Sequence, residues 1–260
     1  MNRLLLLFML LLLLFGCDAT NSVDFDNLPT AEPTAEQLHS SEPITTATPL
    51  PTTLHSDLYI SDLPVEEVIR YFNEVALDAE FVNGGDPQKV QKWNSPIRYY
   101  IFGEPTDADL KQLTDFCDWL NSVHGFPGIS QTDAQYDANL KIYFCDYDTM
   151  LQILGNQFSG MDAGVTFWYD YDMIYDETIC IRRDLNQTLR SSVILEELYN
   201  GLGPVQDTVL RPDSVIFAEY SEPQELTQID ELILKLLYHP DMKCGMSAAE
   251  CESIIRSLYY

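Results

Sequence analysis

Two adjacent glutamates, Glu196 and Glu197, are followed at helical spacing by Asn200, and then by Gly203 and Gln206. In the stretch Ser191 to Asp207, Ile194, Leu198 and Leu202 recur with helical period. On a helix they form one apolar side, with Glu196, Glu197 and Asn200 opposite. Adjacent carboxylates can split their pKa values when one is desolvated, which suits metal-free acid/base work. A cleft-facing patch of this kind also suits binding of a cationic or amide-rich ligand. Two plainer readings compete. One is a solvated helix face whose carboxylates complement the helix dipole. The other is an internal ion pair between Glu197 and Arg182, Arg183 or Arg190. Structural or simple binding roles are the more frequent use of such a pattern.

Other candidates carry weaker signals. The run Trp168-Tyr169-Asp170-Tyr171-Asp172-Met173-Ile174-Tyr175-Asp176-Glu177 concentrates carboxylates. Calcium prefers six to eight oxygens, but the run lacks the D-x-D-x-D-G order of a calcium loop. It reads better as a hairpin tip with outward aromatics, where Trp168 and Tyr169 can meet a glycan or a peptide. Ser191-Ser192 with His124 or His239 would suggest a serine hydrolase, yet no G-x-S-x-G elbow is present. Gly84-Gly85 does not lead into a lysine-bearing helix, so it is no phosphate loop. The four histidines (His39, His55, His124, His239) are scattered and C-x-x-C is absent. Neither a zinc site nor any other cofactor is expected.

The elements that must position these residues follow from periodicity. Leu63-Pro64 after Asp62 opens an amphipathic helix with Val65, Val68, Ile69, Phe72 and Ala76 on one face. Ile97 to Phe102 is a strand, and a second helix from near Thr106 shows Leu110, Leu113, Cys117 and Leu120 at core spacing. Leu140 to Phe144, Val165 to Tyr169 and Thr178 to Arg182 are further strands, with a short helix from Asp148 to Leu154. Helices follow at roughly 192–202, 228–238 and 247–257, the last two opened by Thr227-x-x-Asp230 and Ser247-x-x-Glu250. Strands first and helices last predict an α+β domain, a small mixed sheet packed by helices with a C-terminal helical portion, over 58–260.

The N-terminal segments read as address and tether. Met1-Asn2-Arg3 and an apolar run from Leu4 to Phe15 fit a secretory signal, the run being too short to span a bilayer. Leu14-Phe15-Gly16-Cys17 resembles the lipobox of bacterial lipoproteins. That resemblance implies cleavage after residue 16, acylation of Cys17 and a lipid-anchored position on the extracytoplasmic face of the cell membrane. Residues 17–57 combine proline, threonine and carboxylates without lysine, arginine or glycine, a composition that cannot bury enough apolar surface to fold. The whole chain carries 41 acidic against 14 basic side chains, a net charge of −27, which excludes nucleic acid as a partner. Lipid on Cys17 is therefore the expected membrane contact, because the protein surface repels anionic headgroups. In an oxidising compartment, Cys244 with Cys251, and Cys145 with Cys180, are the expected disulfides, leaving Cys117 as a buried thiol.

The stretch from Glu196 also resembles the active-site helix of metzincin metallopeptidases, H-E-x-x-H-x-x-G-x-x-H. On that pattern Glu197 matches the general base and Gly203 the turning glycine, while the zinc-ligand positions fall on Glu196, Asn200 and Gln206. One hard anion and two weak neutral oxygens are a poor zinc set. Together with Leu237-Tyr238-His239-Pro240 and Gly245-Met246, the segment Glu196 to Gly203 is similar to an uncharacterised family of bacterial lipoproteins with a histidine-less metzincin-like domain. The resemblance covers roughly residues 90–260 and implies a zincin-like fold with Glu197 on the floor of a cleft. The implied function is a non-catalytic binding or envelope-organising module with an unidentified protein or peptide ligand. The alternative is a hydrolase centred on Glu197, metal-free or using a recruited metal.

Overall fold

The computed structural model describes residues 58–77, 89–219 and 221–260. The expectations for residues 1–16 and 17–57, Cys17 included, lie outside the described residues. Among those described, no helix is long and apolar enough to cross a membrane.

The domain is a mixed α/β structure, a six-stranded sheet packed by helices and followed by a C-terminal helical region. Helix α1 (Val65–Leu77) buries Val68, Ile69, Phe72 and Ala76 of the predicted face and leaves Val65 half-buried, while Tyr71, Val75 and Leu77 are buried as well. Strands β1 (Lys92–Trp93) and β2 (Ile97–Gly103) precede α2 (Asp107–Ser122), whose N-terminus is closed by a reciprocal cap between Thr106 and Asp109. Leu113, Cys117 and Leu120 of α2 are buried as expected, whereas Leu110 is exposed. Strand β3 (Ile129–Gln131), β4 (Leu140–Cys145), α3 (Tyr147–Leu154) and the hairpin of β5 (Ala163–Asp170) and β6 (Met173–Arg182) follow. Helices α4 (Gln187–Asn200), α5 (Gln228–Leu237) and α6 (Ala248–Leu258) complete the chain. Helix α4 begins five residues before the predicted start. Asn186 caps it by accepting from the Leu189 N–H at 3.1 Å, and Gln187 to Ser191 make its first turn.

The sheet runs β3-β2-β4-β6-β5 across its width, with β1 beside the first residues of β6. All pairings are parallel except that of the edge strand β5 with β6. Parallel central strands are covered on both faces and so read as near-continuous apolar runs, as in Ile179-Cys180-Ile181. One face, with Leu140, Ile142, Ile179 and Ile181, joins the main core. The other face carries a satellite core of Cys145, Met150, Leu154, Phe158 and Cys180 under α3. The two-residue strand β1 and the three-residue strand β3 are too short for a periodic signal and are defined only by their partners.

Candidate functional site

Helix α4 is the element that carries the chemistry, and it is interior. Arg190 to Leu195 and Glu197 to Tyr199 are all buried, so the helix has no broad solvated face. Glu197 itself is only 8% exposed, and Glu196 and Asn200 are half-buried. Its neighbour is a carboxylate that the chain supplies from the sheet. Glu177, 2% exposed, sits in the middle of β6 opposite Leu140 of β4 and Phe167 of β5. The Glu177 carboxyl presses on the end of α4, since a Cβ built on Gly201 would lie 1.7 Å from its Oε1. The Trp93 indole N–H donates to the Gly201 carbonyl at 3.1 Å and also reaches the Glu177 carboxyl.

Gly203 then turns the chain. Its φ of 126° and the Gln91 carbonyl 2.4 Å from any added Cβ leave room for glycine alone. The loop beyond is tied back by backbone and side chain. The Gln206 N–H donates to the Val75 carbonyl at 3.2 Å, and the Thr208 hydroxyl to Glu74 at 2.9 Å. Asp207, half-buried, is held close enough to Glu197 for its charge to act on that carboxyl.

The electrostatics of this cluster run one way. Burial pushes Glu197 well above the usual carboxylate range, and the charges of Glu196, Asp207 and Glu177 push it further. Burial lifts Glu177 to about 8, opposed by the Trp93 hydrogen bond, and lifts Asp207 to about 6. The arginines considered as partners for Glu197 are engaged elsewhere. Arg182 binds Asp162 and Asp184, Arg183 reaches Asp146 at 3.8 Å, and Arg190 binds Asp109. None of these arginines forms an ion pair with Glu177 or Glu197, and burial biases both carboxyls toward the neutral acid.

A family model for proteins of unknown function, DUF2927, matches residues 65–257, from the first residue of α1 to within the last turn of α6. The chain belongs to the DUF2927 family. No curated protein matches it.

In this DUF2927 chain, the side chains at the positions that the metzincin resemblance would assign to zinc ligands, Glu196, Asn200 and Gln206, include no imidazole. The Asn200 Oδ1 is buried without a hydrogen-bond partner, and the Gln206 amide turns to the Asp207 carbonyl at 3.4 Å. Among the described residues, no group of three or more His, Cys, Asp or Glu is arranged to hold a metal ion. His124 and His239 lie near each other, with ring centroids 6.3 Å apart, and His239 faces Asp241. A cavity of about 400 Å³ lies away from α4, lined by residues that include Asp62, Arg211, Asp213 and Gln228. At the expected cleft floor, Glu197 is buried where α4 packs on β5 and β6, while Glu196 and Asn200 are half-buried.

All five described cysteines are free thiols in this structure. Cys145 and Cys180 do meet as a hydrogen-bonded thiol pair. The parallel register nevertheless sets Cys180 opposite Tyr143 and Cys145 opposite Arg182, a diagonal relation that does not favour a bridge. Cys244 donates its S–H to the Lys92 carbonyl at 3.8 Å, while Cys251 is fully buried in the first turn of α6. Cys117 is the buried thiol expected, with burial pushing its pKa up to about 12.

Glu177 is visible in the sequence only as one acid in an aromatic run. Its signal is position: of the two adjacent acids in β6, Asp176 and Glu177, it is the one in alternation with Ile179 and Ile181 on the core side. The contact with Gly201 is directly testable. Gly201 has an ordinary helical φ of −63°, so alanine is conformationally welcome there. It should nonetheless destabilise the domain by about 1–3 kcal/mol in urea unfolding, because the Glu177 carboxyl is enclosed and has nowhere to move. An unchanged or raised midpoint would show that the carboxyl is not held against the helix.

Proposed function

We propose that this protein is a lipid-anchored, extracytoplasmic module whose zincin-like domain binds rather than catalyses. The observation that carries the reading is the state of Glu197. It occupies the general-base position of the motif, yet it is buried among Glu177, Glu196 and Asp207 with nothing to favour its anion. The ligand positions support the same reading by their chemistry, since Glu196, Asn200 and Gln206 offer no imidazole. The zincin-like assignment draws support from the mixed sheet with its antiparallel edge strand and from a motif-bearing helix packed on β5 and β6. Anchorage draws support from the lipobox-like Leu14 to Cys17 and from a surface charge that would otherwise keep the protein off anionic lipid. The rival, a hydrolase centred on Glu197, requires that carboxyl to ionise at working pH.

Two measurements on the full chain test this. Expressed in a bacterial host, the wild-type protein should sediment with membranes, and Cys17→Ala should leave the membrane fraction while remaining folded. Tight membrane association of the mutant would remove the anchoring reading. The purified protein should carry no stoichiometric zinc. Stoichiometric zinc together with a peptidase activity that Glu197→Gln abolishes would reverse the preference for a binding role.

A further inference from the structure

We propose that the tip of the β5–β6 hairpin is a docking surface for a lysine- and arginine-rich segment of a partner protein. This rests on the binding-module reading and names the kind of partner, but it does not depend on whether Cys17 is acylated. Beyond Glu177, β6 loses β4 as a neighbour, and only two-residue β1 accompanies it. Phe167 to Asp170 and Met173 to Asp176 form the end of the sheet, where Ile174 stays in the core beside Trp93 while the outward side chains face solvent. Four large aromatics are exposed within this short ribbon: Trp168 (56%), Tyr169 (40%), Tyr171 (84%) and Tyr175 (52%). Strand alternation sends Trp168 and Tyr169 to opposite faces, and a bulge at this point leaves Tyr175 without a direct partner. Tyr171 stands at the apex.

Packing fixes one half of the turn, since the Asp172 carbonyl accepts from the Lys92 N–H at 3.4 Å and its half-buried side chain lies near Gly245, but it does not account for Tyr171. Tyr171 and Asp172 form a two-residue loop with φ of 48° and 62°, the left-handed geometry that asparagine and glycine fill most readily. A tyrosine there, almost wholly in solvent, gains nothing from the core. Charge then selects the occupant. Asp170 and Asp172 have no ion-pair partner among the described residues, while Asp176 is tied to Lys141. Aromatic rings interleaved with uncompensated carboxylates suit guanidinium and ammonium groups, which stack on the rings and pair with the acids. The net charge of −27 draws a basic segment in from a distance, and the ribbon supplies the aromatic contacts that hold it.

The test uses the full chain in detergent and fluorescein-labelled octa-arginine, with binding read by anisotropy at near-physiological salt. Trp168→Ala with Tyr171→Asn should weaken binding about tenfold or more. Because asparagine suits the turn better than tyrosine, the Tyr171→Asn single variant should keep or raise the melting temperature while losing affinity, which a merely structural role would not give. Asp170→Asn should weaken binding, and Asp118→Asn on the exposed side of α2 should not. Equal affinity in tip variants and wild type would overturn the proposal, since binding would then be spread over the acidic surface. So would tip-dependent binding of a neutral oligosaccharide, or tip-dependent self-association, with octa-arginine inert. A peptidase activity found in the protein would defeat the non-catalytic reading while leaving this binding result intact.

Discussion

Glu177→Gln should make the protein more stable at pH 8 and flatten its stability profile between about pH 4.5 and 8. In the folded state burial raises the Glu177 carboxyl from 4.5 to about 8. Folded protein therefore holds a proton that the unfolded chain releases. The resulting stabilisation is complete below the unfolded carboxylate value, erodes as pH rises, and is gone once pH passes the folded value. A tenfold difference in proton affinity between the two states is worth about 1.4 kcal/mol, so the wild-type domain should lose roughly 3–5 kcal/mol across that window through this group. Glu197 acts in the same direction, and ionising either carboxyl makes ionising the other harder. Glutamine keeps the shape and remains neutral, so the variant should avoid the cost of burying a charge. Urea midpoints measured from pH 4.5 to 9 check this. A wild-type midpoint that stays level, or a Glu177→Gln protein that weakens in parallel with wild type, would mean that the carboxyl is ionised and stabilised in the folded state.

Asp109→Ala should destabilise the domain by about 3–5 kcal/mol, the largest loss expected from any single charge removal here. Arg190 on α4 and Asp109 on α2 form a buried pair, with side chains 8% and 1% exposed. The Arg190 Nε donates to both carboxylate oxygens, at 2.9 and 3.0 Å. Its other nitrogens donate to the Arg183 and Leu185 carbonyls and to the Gln187 side chain. Asp109 also accepts from the Thr106 N–H and the Gln187 amide, so one carboxylate caps α2 and fastens α4 to it. Truncation strands a buried guanidinium. Burial by itself would raise the Asp109 carboxyl, but hydrogen bonds from Arg190, Thr106 and Gln187 outweigh it and hold the carboxyl below the ordinary value. Stability from this pair is thus present above the unfolded aspartate value near 3.9 and is lost as pH falls through the folded one. The two buried systems pull in opposite directions, so wild-type stability should peak in mildly acidic solution. Chemical unfolding at pH 6 measures the Asp109→Ala loss, and a change below about 1 kcal/mol would mean the pair is solvated.

Local signals in the sequence determined most of the elements. The face of α1 followed from Val68, Ile69 and Phe72, and the start of α5 from Thr227 and Asp230, whose reciprocal cap forms as the spacing predicts. These features depend on residues within a turn or two of each other, so periodicity and capping chemistry carry them. The sequence likewise marked Glu197 as the residue to examine. Its surroundings were decided by the tertiary structure alone. Which carboxylate meets Glu197 depends on the register of β6 against β4 and β5, and that register is set by pairings between distant segments. The same register separates Cys180 from direct opposition to Cys145. The choice of Asp109 over Glu197 as the partner of Arg190 depends on how α2 docks against α4, a contact between residues 81 positions apart. Long-range pairing leaves no periodic trace in a single chain, because each segment shows only its own pattern of buried and exposed positions. A glutamate on a helix therefore looks the same in sequence whether it ends in water, beside an arginine, or enclosed with other acids.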